Sequence, residues 1–111
     1  MKKIAELNDR FRRSLGATPC DIPGQVLMTR SIIGLHEDDI AAILAKVSNF
    51  DTWTRDNDPH DEHDFGSFEH FGQKFFWKID YYAPDMLHGS EDPTDLERTM
   101  RVLTIMFASE Y

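Results

Sequence analysis

Apolar residues first recur at helical spacing. Ile4, Leu7, Phe11 and Leu15 stand three or four positions apart, which predicts an amphipathic helix over residues 2–15 with Gly16 as its C-terminal stop. After the turn-rich ATPCDIPG, the run QVLMTR at 25–30 reads as a short strand with Val26 and Met28 on one side. HEDDIAAILAKVSNF then places acidic residues in a first turn and Ile40, Ile43, Leu44 and Val47 on one face, which predicts a second helix over about 37–49.

The pattern changes period beyond residue 62. Two runs, HDFGSFEHF and KFFWKIDYY, are rich in aromatic and β-branched residues and flank Gly72-Gln73, a Gly-first pair that suits a type II′ turn. A β-hairpin of about 62–71 and 74–82 follows. In that register Phe71 pairs with Lys74, His70 with Phe75, Phe68 with Trp77, Gly66 with Ile79 and Asp64 with Tyr81. Phe68, Phe75, Trp77, Ile79 and Tyr81 then make a core face. The opposite face mixes Phe65, Glu69, Phe76, Lys78, Asp80 and Tyr82, with His63 diagonal to Asp80.

The last segment, EDPTDLERTMRVLTIMFASEY, opens with Asp92 as a cap, Pro93 at a first helical position and Asp95 three residues after the cap. Leu96, Met100, Leu103 and Phe107 form a stripe, so a third helix at about 93–109 is expected to cover the aromatic face. The sum is an α+β domain with a small antiparallel sheet and helices on one face, folding as one unit over residues 1–111.

Charge narrows the class of partner. The net charge is −8, and residues 1–13 hold five basic and two acidic side chains, leaving seven basic and eighteen acidic in the rest. Such a body repels nucleic-acid phosphates except at the first helix, so no direct nucleic-acid binding is expected. It suits a protein partner with a basic surface, or the occupation of a DNA-binding groove in place of DNA; plain solubility is the simplest account of the same charge. The single Cys20 forms no internal disulfide and favours a reducing compartment. Glu6, Asp9 and Arg10 interrupt any apolar run near the start, which leaves neither a secretory signal nor a membrane span and points to a cytoplasmic protein.

Candidate chemistry concentrates in NDPHDEHDFGSFEH, residues 57–70, with five carboxylates and three histidines. In an extended strand Glu62 and Asp64 point one way and His63 the other, so they cannot converge on one ion unless the chain bulges. The glycine and spacing of an EF-hand loop are missing, and no metal or other cofactor is expected. Ser67 lies outside a nucleophile elbow, and Cys20 has no histidine close in sequence. The binding candidates are Asp56, Asp58, Asp61, Glu62, His63, Phe65, Lys78, Asp80 and Tyr82. Of these, Asp56, Asp58 and Asp61 are expected to be exposed. His63 oriented by Asp80 is the weak catalytic candidate, and an acid-base or metal-dependent enzyme built on the 57–64 loop is the alternative to a binding module.

NDPHDEHDFGSF, FWKIDYY, GSEDPTD and RVLTIMFASEY together resemble a family of small bacterial proteins of unknown function, often found in plasmid and other mobile-element contexts, over about residues 7–111. Asn57, Asp58, Glu62, His63, Asp64, Lys78 and Asp80 match its pattern. An aromatic and a glycine usually stand where His60 and Asp61 do here, which argues against His60 as a site residue. The resemblance implies a mobile-element accessory role, with a phage or plasmid counter-defence protein, such as an anti-CRISPR inhibitor, among its readings. The expected function is therefore a non-enzymatic acidic module that binds a protein of a host nucleic-acid-binding or defence complex.

Overall fold

The computed structural model describes residues 3–15 and 20–111. Two of the three expected helices are present. Helix α1 spans Lys3–Ser14 and buries Ala5, Leu7, Asn8, Phe11 and Arg12; the proposed stop at Gly16 lies outside the described residues. Strand β1 (Gly24–Met28) leads into the single-turn α2 (Arg30–Ile33). Helix α3 (Glu37–Ser48) starts where the acidic turn predicts: the His36 ring accepts a hydrogen bond from the Asp38 amide at 3.0 Å, and Glu37, Asp38 and Asp39 face the positive end of the helix dipole. Among the described residues no helix is long and apolar enough to cross a membrane.

The hairpin forms from β2 (Phe65–His70) and β3 (Gln73–Tyr82), in a register two residues from the expected one. His70 pairs with Gln73, Phe68 with Phe75 and Gly66 with Trp77. The turn is Phe71-Gly72, both at positive φ (50° and 72°), as a type I′ turn requires. The Gly-first reading assigned the glycine to the wrong corner. A two-residue slip preserves side-chain parity, so the expected faces survive for the residues inside the two strands: Phe75, Trp77 and Ile79 are buried.

The expected third helix is instead a strand. Residues 92–99 make isolated turns, in which Asp92 Oδ1 accepts from the Thr94 amide and the Asp95 and Arg98 amides reach back three residues. Strand β4 (Met100–Phe107) then enters the middle of the sheet. A continuous apolar run matches helical and two-sided strand periodicity alike, and here burial on both faces decides: Arg101, Val102, Leu103, Ile105 and Met106 are all buried. The sheet order is β1-β4-β3-β2. Because β1 runs parallel to β4 while the other two pairings are antiparallel, the sheet is mixed rather than antiparallel.

All three helices pack on one face. Leu7 and Phe11 of α1, Ile32 of α2 and Ile43 and Val47 of α3 form one apolar cluster with Phe75, Trp77, Ile79, Leu103 and Ile105. Gly66 lies under the Trp77 indole, where a Cβ would also come within 2.7 Å of the Phe50 ring. Among the described residues the other face carries no α-helix; Phe65, Phe76, Lys78, Asp80 and Tyr82 lie half-buried on it.

Trp77, fully buried at the centre of this packing, tests the assignment of faces. Trp77→Ala should lower stability by about 3–5 kcal/mol in chemical denaturation, and a loss below about 1 kcal/mol would contradict it. Phe71 is 83% exposed in a left-handed conformation that costs a bulky residue roughly 1–2 kcal/mol. Phe71→Asn, the residue preferred before Gly in this turn, should raise the midpoint of thermal unfolding; a lower midpoint would exclude the Phe71-Gly72 turn.

Candidate functional site

The acidic segment before β2 is a folded loop rather than a frayed strand. Asn57 and Thr54 close its first turn: Asn57 Oδ1 accepts from the Thr54 amide at 3.0 Å, and Thr54 Oγ1 accepts from the Asn57 amide at 3.3 Å. Asp58 closes its second. Only 5% exposed, its Oδ1 accepts from the amides of Glu62 and His63, each at 2.9 Å. Asp58 is therefore a structural acceptor and not the exposed carboxylate expected; Asp56 and Asp61 are exposed. Asp61 and His63 both have φ of 55°. That bend breaks the alternation on which the strand argument for Glu62, His63 and Asp64 relied.

The bend turns His63 towards the helices. Its ring stacks on Trp53 (centroids 3.9 Å apart, planes 5° apart), Nδ1 lies 3.0 Å from both carboxylate oxygens of Asp9 in α1, and Nε2 lies 3.5 Å from Asp58 Oδ2. Asp80 lies on the helix-free face, where it bonds Lys78. The expected partnership of His63 with Asp80 is thus overturned: the two side chains serve opposite sides of the sheet, and the acid-base pair drawn from them does not form.

Glu62 is also turned inward. Its backbone carbonyl accepts from Asn8 Nδ2 at 2.9 Å, and its Oε1 accepts from the Tyr81 hydroxyl at 2.9 Å. Asn8 also donates to the Tyr81 oxygen at 2.8 Å and accepts from Arg101 Nε at 2.6 Å. Burial holds the Tyr81 hydroxyl far above the usual phenol range, and burial lowers the Arg101 guanidinium from its ordinary value. This polar seam joins α1, the loop, β3 and β4, and leaves Arg101 Nη1 buried without a partner. Asn8, Asp9, Arg12, Trp53 and Arg101 escaped the sequence reading because their partners are distant in the chain. The one signal available was the polar cluster Asn8-Asp9 beside the apolar stripe of α1.

The exposed side of the loop borders two concavities. One, of about 610 Å³, lies between Trp53, Arg55, Asp58 and Asp61. The other, of about 470 Å³, brings together four of the sequence candidates, Asp56, Phe65, Lys78 and Asp80, and adds Asn57, His60, Asp64 and Tyr111. Tyr82 lies beyond it on the same face. Tyr111 returns across this face, its ring centroid 5.8 Å from Phe65 and 5.3 Å from Phe76. Among the described residues no group of three His, Cys, Asp or Glu side chains could hold a metal ion. The arrangement can present carboxylates and aromatic rings together to a cationic partner.

The Asp64 carboxyl in the cleft is raised above its ordinary value, by burial first and by the charge of Glu62 second. A carboxyl raised in the folded state favours folding while protonated; that contribution is complete below the ordinary aspartate value near 3.8 and lost as pH rises through the raised one. Asp64→Asn should therefore melt higher than wild type at neutral pH, with the difference closing as pH falls below about 4. A variant that melts lower at neutral pH would show that the Asp64 carboxylate stabilises the fold.

No curated protein and no solved structure matches this chain. A family model does, over residues 28–110, which include α3, the acidic loop and strands β2 to β4. The chain belongs to the family described as "Protein of unknown function (DUF3768)".

Proposed function

We propose that the protein is a small acidic protein-binding module of mobile-element type, which holds a partner with a basic surface against the helix-free face of its sheet and the adjoining loop. The observation that carries this reading is the composition of that face. Phe65, Phe76, Tyr82 and Tyr111 stand there among Lys78 and Asp80, with Asp56 beside them in the cleft. Amphipathic aromatics surrounded by charges, on a surface left without a helix, are the makings of an interface core and rim. Lys74 already places its ammonium 5.7 Å from the Phe76 ring, as a partner's cation would lie.

Glu62, His63 and Asp58 are committed to the fold, so the contact set reduces to Asp56, Asp61, Phe65, Lys78, Asp80 and Tyr82. The net charge supports a basic partner and opposes direct nucleic-acid binding. Covering the basic surface of a host nucleic-acid-binding or defence complex would make such a module an inhibitor. That role agrees with the mobile-element setting implied by the motifs.

The test is the rate and salt dependence of association with a partner captured from a host lysate. Asp56→Lys with Asp61→Lys should slow association at low salt, and the difference should fade at 1 M salt, where the Debye length falls to about 3 Å. Tyr82→Ala should speed dissociation. Association indifferent to salt and to all three substitutions would overturn the reading. So would a purified protein that shifts duplex DNA at physiological salt.

A further inference from the structure

The cleft between the loop and the helix-free face has a composition that selects among cations. We propose that it seats an arginine side chain of the protein partner, with the guanidinium against the rings of Phe65 and Tyr111 and its edge towards the carboxylates of Asp56 and Asp64. This deepens the protein-binding reading above and rests on it.

Three observations point to that occupant. The first is charge complementarity: Asp56, Asp64 and Asp80 line the cleft against one ammonium, that of Lys78, which bonds Asp80. The second is the aromatic wall. The Phe65 and Tyr111 rings lie 5.8 Å apart at 57°, and Tyr111 is 74% exposed, so a planar cation has an open ring to stack on. The third is the spread of the acidic groups. Among the described residues no three metal-binding side chains converge on a point, which favours a broad, forked cation over a small ion.

The protein uses the same chemistry inside itself. The Arg12 guanidinium lies 5.4 and 5.3 Å from the Trp53 and Trp77 rings and donates to Asp9. Arg101 lies 5.3 Å from the Tyr81 ring. A cation in the cleft would also relieve the raised carboxyl of Asp64, which burial, Glu62 and Asp58 push up and His60 only partly offsets.

Amide-resolved NMR titration of the full chain with N-acetyl-arginine amide tests the assignment, with the neutral citrulline analogue and the lysine analogue as controls. The arginine probe should give saturable shifts confined to residues around Asp56, Asp64, Phe65 and Tyr111. Its affinity should exceed that of the citrulline analogue by about tenfold or more and that of the lysine analogue by a smaller factor. Tyr111→Ala, at an exposed position, and Asp64→Asn should each weaken the arginine probe about fivefold while leaving distant amide signals unchanged. Equal shifts from the citrulline analogue, equal affinity for lysine, or an arginine affinity untouched by both substitutions would overturn the proposal. If the probe fails while partner association still depends on Asp56 and Tyr82, the arginine seat falls and the binding module stands. Saturable arginine binding with no salt-sensitive partner association would support the seat and overturn the module.

Discussion

A buried cation organises this fold. Arg12 has no solvent exposure, and its guanidinium donates at 3.0 Å to the carbonyls of Val47 and Ser48 and to Asp9. The two carbonyls belong to the last turn of α3, where acceptors lack intrahelical partners and the helix dipole is negative. Trp53 and Trp77 close over the cation from two sides. One side chain therefore ties α1 to the end of α3, to the start of the acidic loop and to the middle of the sheet. Burial lowers its pKa while Asp9 raises it, and truncation would leave the helix carbonyls and Asp9 without their donor.

Asp9 passes that constraint on. It also contacts the ring of His63, which stacks on Trp53, so the loop is positioned by the same buried assembly that fixes the helices. The acidic residues consequently divide by role. Asp9, Asp58 and Glu62 accept hydrogen bonds that shape the interior. Asp56, Asp61, Asp64 and Asp80 line the two surface concavities, the first of which Asp58 also borders. A charge count weighs all seven alike, and only the fold separates scaffold from surface.

Legibility in the sequence followed the range of the physics. The helices α1 and α3 and the buried face of Phe75, Trp77 and Ile79 were readable because periodicity is local. The hairpin register was not: Gly72 serves a type I′ turn as well as a type II′ one, and the choice falls on Phe71, a poor residue for positive φ. Met100–Phe107 was misread because a strand buried on both faces loses its alternation and keeps spacings that also fit a helix. At the site, Phe65, Lys78 and Asp80 were found through strand parity, which survives a two-residue slip. His63 was misplaced because nothing nearby announces the bends at Asp61 and His63; their cause is the Asp58 carboxylate folding back on the amides that follow.

The parallel pairing of β1 with β4 has a consequence for how the chain reaches its fold. Gly24 pairs with Arg101, and Met28 with Ile105, so the ladder that adds the edge strand β1 joins segments separated by most of the sequence. Closing that loop costs entropy before any contact compensates it, which slows folding relative to local hairpins. On the ribosome, α1, β1 and α3 emerge with their apolar faces uncovered, and the β2-β3 hairpin follows with one edge unpaired. No sheet can join them until residues 100–107 arrive. The nascent chain therefore spends most of its synthesis as sticky, incomplete pieces, for which a high density of like charge is a plain form of protection.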